Sequence, residues 1–196
     1  MLGNPWFEID DPENEFEFNE AELAFSTRLR EVASSWAVAY AHSWVGRPED
    51  DSSLLAFVSL SDESSRLSLV DIGVHVVGST MRGDELHNQL YFLPDRPTSL
   101  ATEAAGSPQQ LADHAAQWFE AILRKPIVRY EWEHNGRVYA GRYLFADSGQ
   151  GLSQSYNHLL APDGQAESLA ADGHVTGKGW VRTSGLGRPD RIVPIR

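Results

Sequence analysis

"VRYEWEHNGRVYAGRYLFAD", residues 128–147, carries the strongest fold signal in the chain. Asn135-Gly136 separates two runs of β-branched and aromatic residues. Asn-Gly tolerates the positive φ that both central positions of a tight hairpin turn require. The stretch predicts a hairpin over 127–146. A plain two-residue turn sets His134 opposite Arg137, Trp132 opposite Tyr139, Tyr130 opposite Gly141 and Val128 opposite Tyr143. Val128, Tyr130, Trp132, Tyr139, Tyr143 and Phe145 then share one face, apolar enough to pack on a helix. Arg129, Glu131, Glu133, Val138, Ala140, Arg142 and Leu144 share the other, where Glu131 and Arg142 are placed to pair diagonally.

Upstream, "GSPQQ" (106–110) is a helix start with Ser107 as cap, Pro108 at the first helical position and Gln110 three after the cap. Leu111, Ala115, Trp118, Phe119, Ile122 and Leu123 follow as an apolar stripe, and Arg124, Lys125 and Pro126 close it, predicting a helix over 108–124. Asn19 and Glu22 have capping-box spacing, and Phe25, Leu29, Val32, Trp36, Tyr40 and Trp44 recur at steps of three or four. With Gly46 and Pro48 as stops, they predict a helix over about 20–45. "WAVAYAHSW" (36–44) also alternates with period two, which is the rival strand reading.

Between these helices, "SLLAFVSL" (53–60), "LSLVDIGVHVV" (67–77) and "LHNQLYFL" (86–93) read as strands, with "SLATEA" (99–104) as a short fourth. After the hairpin, "LSQSY" (152–156) is a further strand candidate. A short helix is expected near 164–171, capped by Asp163 and stopped by Gly173. Residues 173–196 are rich in glycine and arginine and read as irregular. Short turns between consecutive strands imply antiparallel pairing. The expectation is therefore a single α+β domain over 1–196, with an antiparallel sheet of about five to seven strands on two amphipathic helices. An acidic arm (1–18) leads in and the Gly/Arg-rich segment (173–196) follows. In element order the chain resembles the small acidic chaperones of bacterial type III secretion, which run helix, three strands, helix, two strands, helix. That resemblance implies a binding role and assigns no residues.

Composition narrows the function classes. The 196 residues contain no cysteine, which excludes disulfides and thiolate catalysis. The start lacks a basic region followed by an apolar run, and no apolar run reaches a spanning length of about 18 residues. The expected location is cytoplasmic, away from membranes. Net charge is −12, which repels nucleic-acid backbones and favours basic partners. Residues 1–27 carry eight acids and no base, whereas residues 173–196 carry five bases against Asp190 alone.

Chemistry-bearing motifs are weak. "GQGLSQS" (149–155) puts serine where a nucleophile elbow needs its last glycine. "TGKGW" (176–180) lacks the spacing of a phosphate loop. "DDPENEFEFNE" (10–20) lacks the glycine and closing glutamate of a calcium loop. Among seven histidines, Asp71 and His75 share a strand face, and His87 falls on the next expected strand. These three are the best enzyme candidates, as a His/carboxylate cluster of a small hydrolase-like enzyme. No metal or other cofactor is indicated.

The leading expectation is a non-enzymatic protein-binding module of immunity-protein or secretion-chaperone type, acting on a protein with a basic surface. Glu13, Glu15 and Glu17 would steer that partner, and Trp6, Trp44 and Trp180 would supply exposed aromatic anchors. A nucleic-acid charge mimic is the third possibility, with no direct nucleic-acid binding.

Overall fold

The protein is described by a computed structural model over residues 5–9, 18–48, 53–87, 90–177 and 179–196. Glu13, Glu15 and Glu17 lie outside the described residues. The chain divides into two compact units, Met1–Arg124 and Lys125–Arg196. The class is α+β, and the sheets are largely antiparallel.

Unit 1 holds β1 (Glu8–Ile9), α1 (Glu20–Ala33), β2 (His42–Gly46), β3 (Leu54–Asp62), β4 (Leu67–Val77), β5 (Thr80–Glu85), β6 (Thr102–Ala105) and α2 (Pro108–Leu123). The six strands form one sheet in chain order. Each neighbouring pair is antiparallel except β1 and β2, which are parallel. Five strands, not three, separate the helices, so the element order of the type III chaperones is not reproduced.

Both capping boxes form. Glu22 N donates to Asn19 Oδ1 at 3.0 Å, and Asn19 N to Glu22 Oε2 at 2.8 Å. Gln110 N donates to Ser107 Oγ at 3.3 Å, and Ser107 N to Gln110 Oε1 at 2.9 Å. Helix α2 buries Leu111, Ala115, Phe119, Ile122 and Leu123 as its stripe predicts, while Trp118 is half-buried and donates its indole N–H to Leu100 O at 2.7 Å.

Helix α1 stops twelve residues short of the expected end, at Ala33. Ser34 and Ser35 turn their hydroxyls back onto the Glu31 and Val32 carbonyls at 2.7 and 2.8 Å, which competes with continued helix. Beyond them the period-two pattern wins over His42–Gly46. Pairing with β3 buries Ser43, Trp44, Val45 and Gly46, more than one helical stripe could.

Strand β3 is buried on both faces from Leu54 to Val58, as a central strand is. One face carries a cluster of Trp44, Leu55 and Phe57, covered by Leu86 and Tyr91. The segment expected as a third strand at 86–93 is thus a cover, with a single bridge between His87 and Phe92. Gly73 admits it, because a Cβ there would sit 2.8 Å from both Leu55 Cδ1 and Leu86 Cδ1. The strand that pairs with β4 is β5, "TMRGDE", whose charges hide its role. Its Asp84 is 3% exposed and accepts from Glu85 N at 2.8 Å and Thr98 N at 2.8 Å, and from the Thr98 hydroxyl.

Unit 2 holds β7 (Ile127–His134), β8 (Arg137–Phe145), β9 (Gly151–Tyr156), α3 (Gln165–Ala171), β10 (Val175–Thr176), β11 (Trp180–Val181), a 3₁₀ turn (Thr183–Gly185) and β12 (Arg191–Pro194). Four strands form an antiparallel sheet in the order β12-β7-β8-β9, and β10 pairs with β11. The segment expected to be irregular therefore supplies three short strands. Its "RIVP" run joins the sheet through β7. Helix α3 starts after Gly164, with no side-chain cap from Asp163.

The hairpin turns at Asn135 and Gly136, with φ of 50° and 72°. A register shift between Trp132 and Glu133 then corrects the expected faces. Trp132 pairs with Ala140 rather than Tyr139, and Arg129, not Val128, pairs with Tyr143. One extra residue in β8 moves Tyr143 and Phe145 to the face of Ile127, Arg129 and Glu131. The rings stay buried, with Trp132 at 4% and Tyr139 at 6% exposure. They pack against Tyr130, Tyr156, Leu160, Ala161 and Leu186 of the same unit. Glu131 does not pair with Arg142: it meets Arg129 at 2.5 Å and Arg191 at 2.5 Å.

Candidate functional site

The early end of α1 builds an aromatic cleft in unit 1. Phe7 anchors its N-terminal side. Its N–H donates to Ser43 Oγ at 3.0 Å, and its fully buried ring lies 5.1 Å from Phe119 and 5.9 Å from Trp36. Its φ of 54° is left-handed, a strained state for this residue that the burial offsets. Next to it, the Trp6 ring sits 4.9 Å from Trp36 and 5.1 Å from Tyr40. These three rings, with Pro5, Val38, the Thr27, Arg30 and Glu31 face of α1 and its C-cap Ser34, line a space of about 690 Å³. Tyr40 is 37% exposed, and the buried Trp36 indole N–H has no acceptor among the described residues. Sequence periodicity assigned Trp36 and Tyr40 to a helical core stripe. The Ser34-Ser35 pair was the signal that they leave it.

Charge is divided between the units. Unit 1 has 21 acidic and seven basic residues, a balance of −14; unit 2 has seven acidic and nine basic, a balance of +2. The acidity of the whole chain thus belongs to the unit that holds the aromatic cleft.

The other expected anchors divide. Trp44 is 8% exposed and stacks on Phe57 at 5.1 Å, with Tyr91 edge-on at 5.3 Å, so it is core and not an exposed anchor. Its place on a paired strand, rather than the end of a helix, explains the difference. Trp180 is 61% exposed on the β10–β11 ribbon of unit 2. Trp6 is half-buried in the cleft.

Asp71, His75 and His87 do not converge on one another. Asp71 accepts from the Ser68 hydroxyl at 3.2 Å. His87 is exposed beyond the end of β5. His75 instead meets Ser53: Nδ1 lies 2.6 Å from Ser53 Oγ, and Nε2 lies 2.8 Å from the Tyr91 carbonyl oxygen. A carbonyl can only accept, so Nε2 carries the proton. In the neutral ring, Nδ1 then accepts from the serine hydroxyl. This is the arrangement of a base poised on a hydroxyl, with a main-chain oxygen as its orienter. It borders a cleft of about 270 Å³ that Arg82, Met81, Phe92 and Leu93 also line. Ser53 is only 3% exposed, which restricts access to its oxygen. Sequence reasoning missed Ser53, although the β3–β4 pairing of Leu54 with Val76 puts it near His75. Among the described residues, no three His, Asp or Glu side chains gather in a metal-binding group, and no helix is long and apolar enough to cross a membrane.

Comparison with protein-family models, curated proteins and solved structures found no match.

Proposed function

We propose that the chain is a non-enzymatic protein-binding module that takes a basic segment of another protein into the Trp6–Trp36–Tyr40 cleft. The observation that carries this reading is the coincidence of three clustered rings with a unit of charge −14. Trp and Tyr in a concave setting are the side chains that dominate interface energies, because they bury large area at little conformational cost. A surrounding negative field speeds encounter with a cationic partner and disfavours acidic ones. Such a module would act as an immunity protein or secretion chaperone does, by occupying or escorting its partner. Charge of this sign argues against direct nucleic-acid binding, since each phosphate approached is repelled.

The test is a stoichiometric capture from the native lysate, run in parallel with Tyr40→Ser and Trp6→Ser. The reading expects a basic protein retained by the wild type, lost by both variants and released by salt. A partner that both variants hold as tightly as the wild type, or no stoichiometric partner at all, refutes it.

A second reading rests on the Ser53–His75 contact, which supports a small hydrolase working through an activated serine. A fluorophosphonate probe labelling Ser53, with loss of labelling in His75→Gln, would favour it. An unlabelled wild type removes it.

A further inference from the structure

Within unit 2, the basic residues are unequally used. Glu131 takes Arg129 and Arg191, and Asp147 takes Lys125. Arg142 and Arg182 have no carboxylate partner among the described residues, yet they line one cleft of about 290 Å³ with Gly151, Leu152, Ser153, Gln154 and Ser184. No acidic side chain lines that space.

The cleft is built rather than incidental. Arg142 is half-buried on β8, directly opposite Gln154 on β9. Gln154 holds the loop that carries the second arginine. Its Nε2 donates to Val181 O at 3.2 Å, and its Oε1 accepts from Thr183 N at 3.0 Å and Thr183 Oγ1 at 2.7 Å. Thr183 is fully buried, so Arg182 and Ser184 are fixed on either side of an anchored residue. Gly151 makes room for the Arg142 guanidinium, because a Cβ there would lie 3.3 Å from Nη2 and 3.5 Å from Nε. A register shift between Tyr143 and Leu144 sets this glycine under the arginine.

We propose that this cleft binds a phosphoryl group, carried as free phosphate or as a small phosphate ester. Two guanidiniums without counter-charge provide planar forks of N–H donors that match a tetrahedral dianion. Half-burial of Arg142 strengthens its attraction for an anion over that of a fully exposed cation. The volume falls at the low end for ligand sites, which suits a phosphate with a short substituent and not a large molecule. The site stands independently of the protein-docking reading, since it shares no residue with the aromatic cleft.

The test follows the amide and arginine Nε–H resonances of the full chain while inorganic phosphate, glycerol phosphate and acetate are added at constant ionic strength. The proposal expects saturable shifts confined to residues 142, 151–154 and 182–184 with both phosphates and not with acetate. Arg142→Gln and Arg182→Gln should each weaken binding about tenfold or more. Gly151→Ala should weaken it by displacing the Arg142 guanidinium. Tighter binding of the ester assigns the organic substituent to the cleft, and equal binding assigns free phosphate. Arg182→Gln alters an exposed side chain and keeps the test valid if Arg142→Gln disturbs folding. Absence of saturation, shifts that acetate reproduces, or wild-type affinity in Arg182→Gln would overturn the proposal.

Discussion

Replacing Glu131 by glutamine should unlock the β12-β7-β8 side of unit 2. Glu131 is 2% exposed and sits on β7 between Gly141 of β8 and Arg191 of β12. Its Oε1 takes Arg129 Nη2 at 2.5 Å, and its Oε2 takes Arg191 Nη2 at 2.5 Å and Nε at 2.7 Å. Three charge-assisted hydrogen bonds are lost or weakened together. Each is worth about 1.5–3 kcal/mol where water is excluded. The Arg191 side chain is 57% exposed, however, so water replaces much of what it loses. The Arg129 side chain is 24% exposed and keeps the Tyr143 hydroxyl at 3.1 Å, but loses the Glu131 carboxylate. The net cost is then about 3 kcal/mol, the lower end for breaking a buried pair from one side. Native-state amide exchange of β7 and β8 residues in the full chain reads it directly. Their protection should fall roughly a hundredfold, since about 1.4 kcal/mol corresponds to a factor of ten. Arg191→Ala, which leaves Glu131 with Arg129, should cost only about 1 kcal/mol. The reasoning fails if Glu131→Gln changes protection less than threefold, or if Arg191→Ala costs as much as the glutamine.

Two further outcomes follow from the same unit. Gly136→Ala places a Cβ at φ 72° and should cost about 1 kcal/mol in urea unfolding, whereas Asn135→Gly at φ 50° should be nearly neutral. A hydrogen bond from Lys125 holds the Asp147 carboxyl below the usual aspartate range. Its contribution to stability is therefore present above the unfolded-state aspartate pKa and is lost as pH falls through the lower folded value. In Lys125→Ala the Asp147 carboxyl, followed by carbon NMR, should titrate at higher pH than in the wild type.

The parts of the fold that were legible are those where chemistry is local. Asn19, Ser107 and the Asn135-Gly136 turn announce themselves because a cap or a positive φ needs few residue types. The end of α1 was hidden because residues 36–44 satisfy periods of 3.6 and 2 at once, and long-range pairing of β2 with β3 decided between them. The hairpin bulge left no trace in composition, yet it reversed the faces of Tyr143 and Phe145. Strand β5 was masked by Arg82, Asp84 and Glu85; Arg82 pairs with Glu103, and Asp84 accepts from Thr98 and from the Glu85 amide. The site residues were harder still. Trp36 and Tyr40 line the aromatic cleft because the helix ends before them, and Arg142 and Arg182 line one cleft through the anchoring of Thr183 by Gln154.

The segment around Phe7 gives the N-terminal end of the sheet a second significance. Among the described residues, Glu8 and Ile9 cover the outer rim of β2, and the buried Phe7 ring with its amide contact to Ser43 fastens them there. Detaching that clasp would bare the main-chain donors and acceptors of "HSWVG" and dismantle the aromatic cleft in the same motion. The proposed docking cleft and the shield over this strand edge thus share one fastening, made by Phe7 and the neighbouring Trp6. Cleavage after Ile9 should raise self-association, read by light scattering, as it takes the cleft apart.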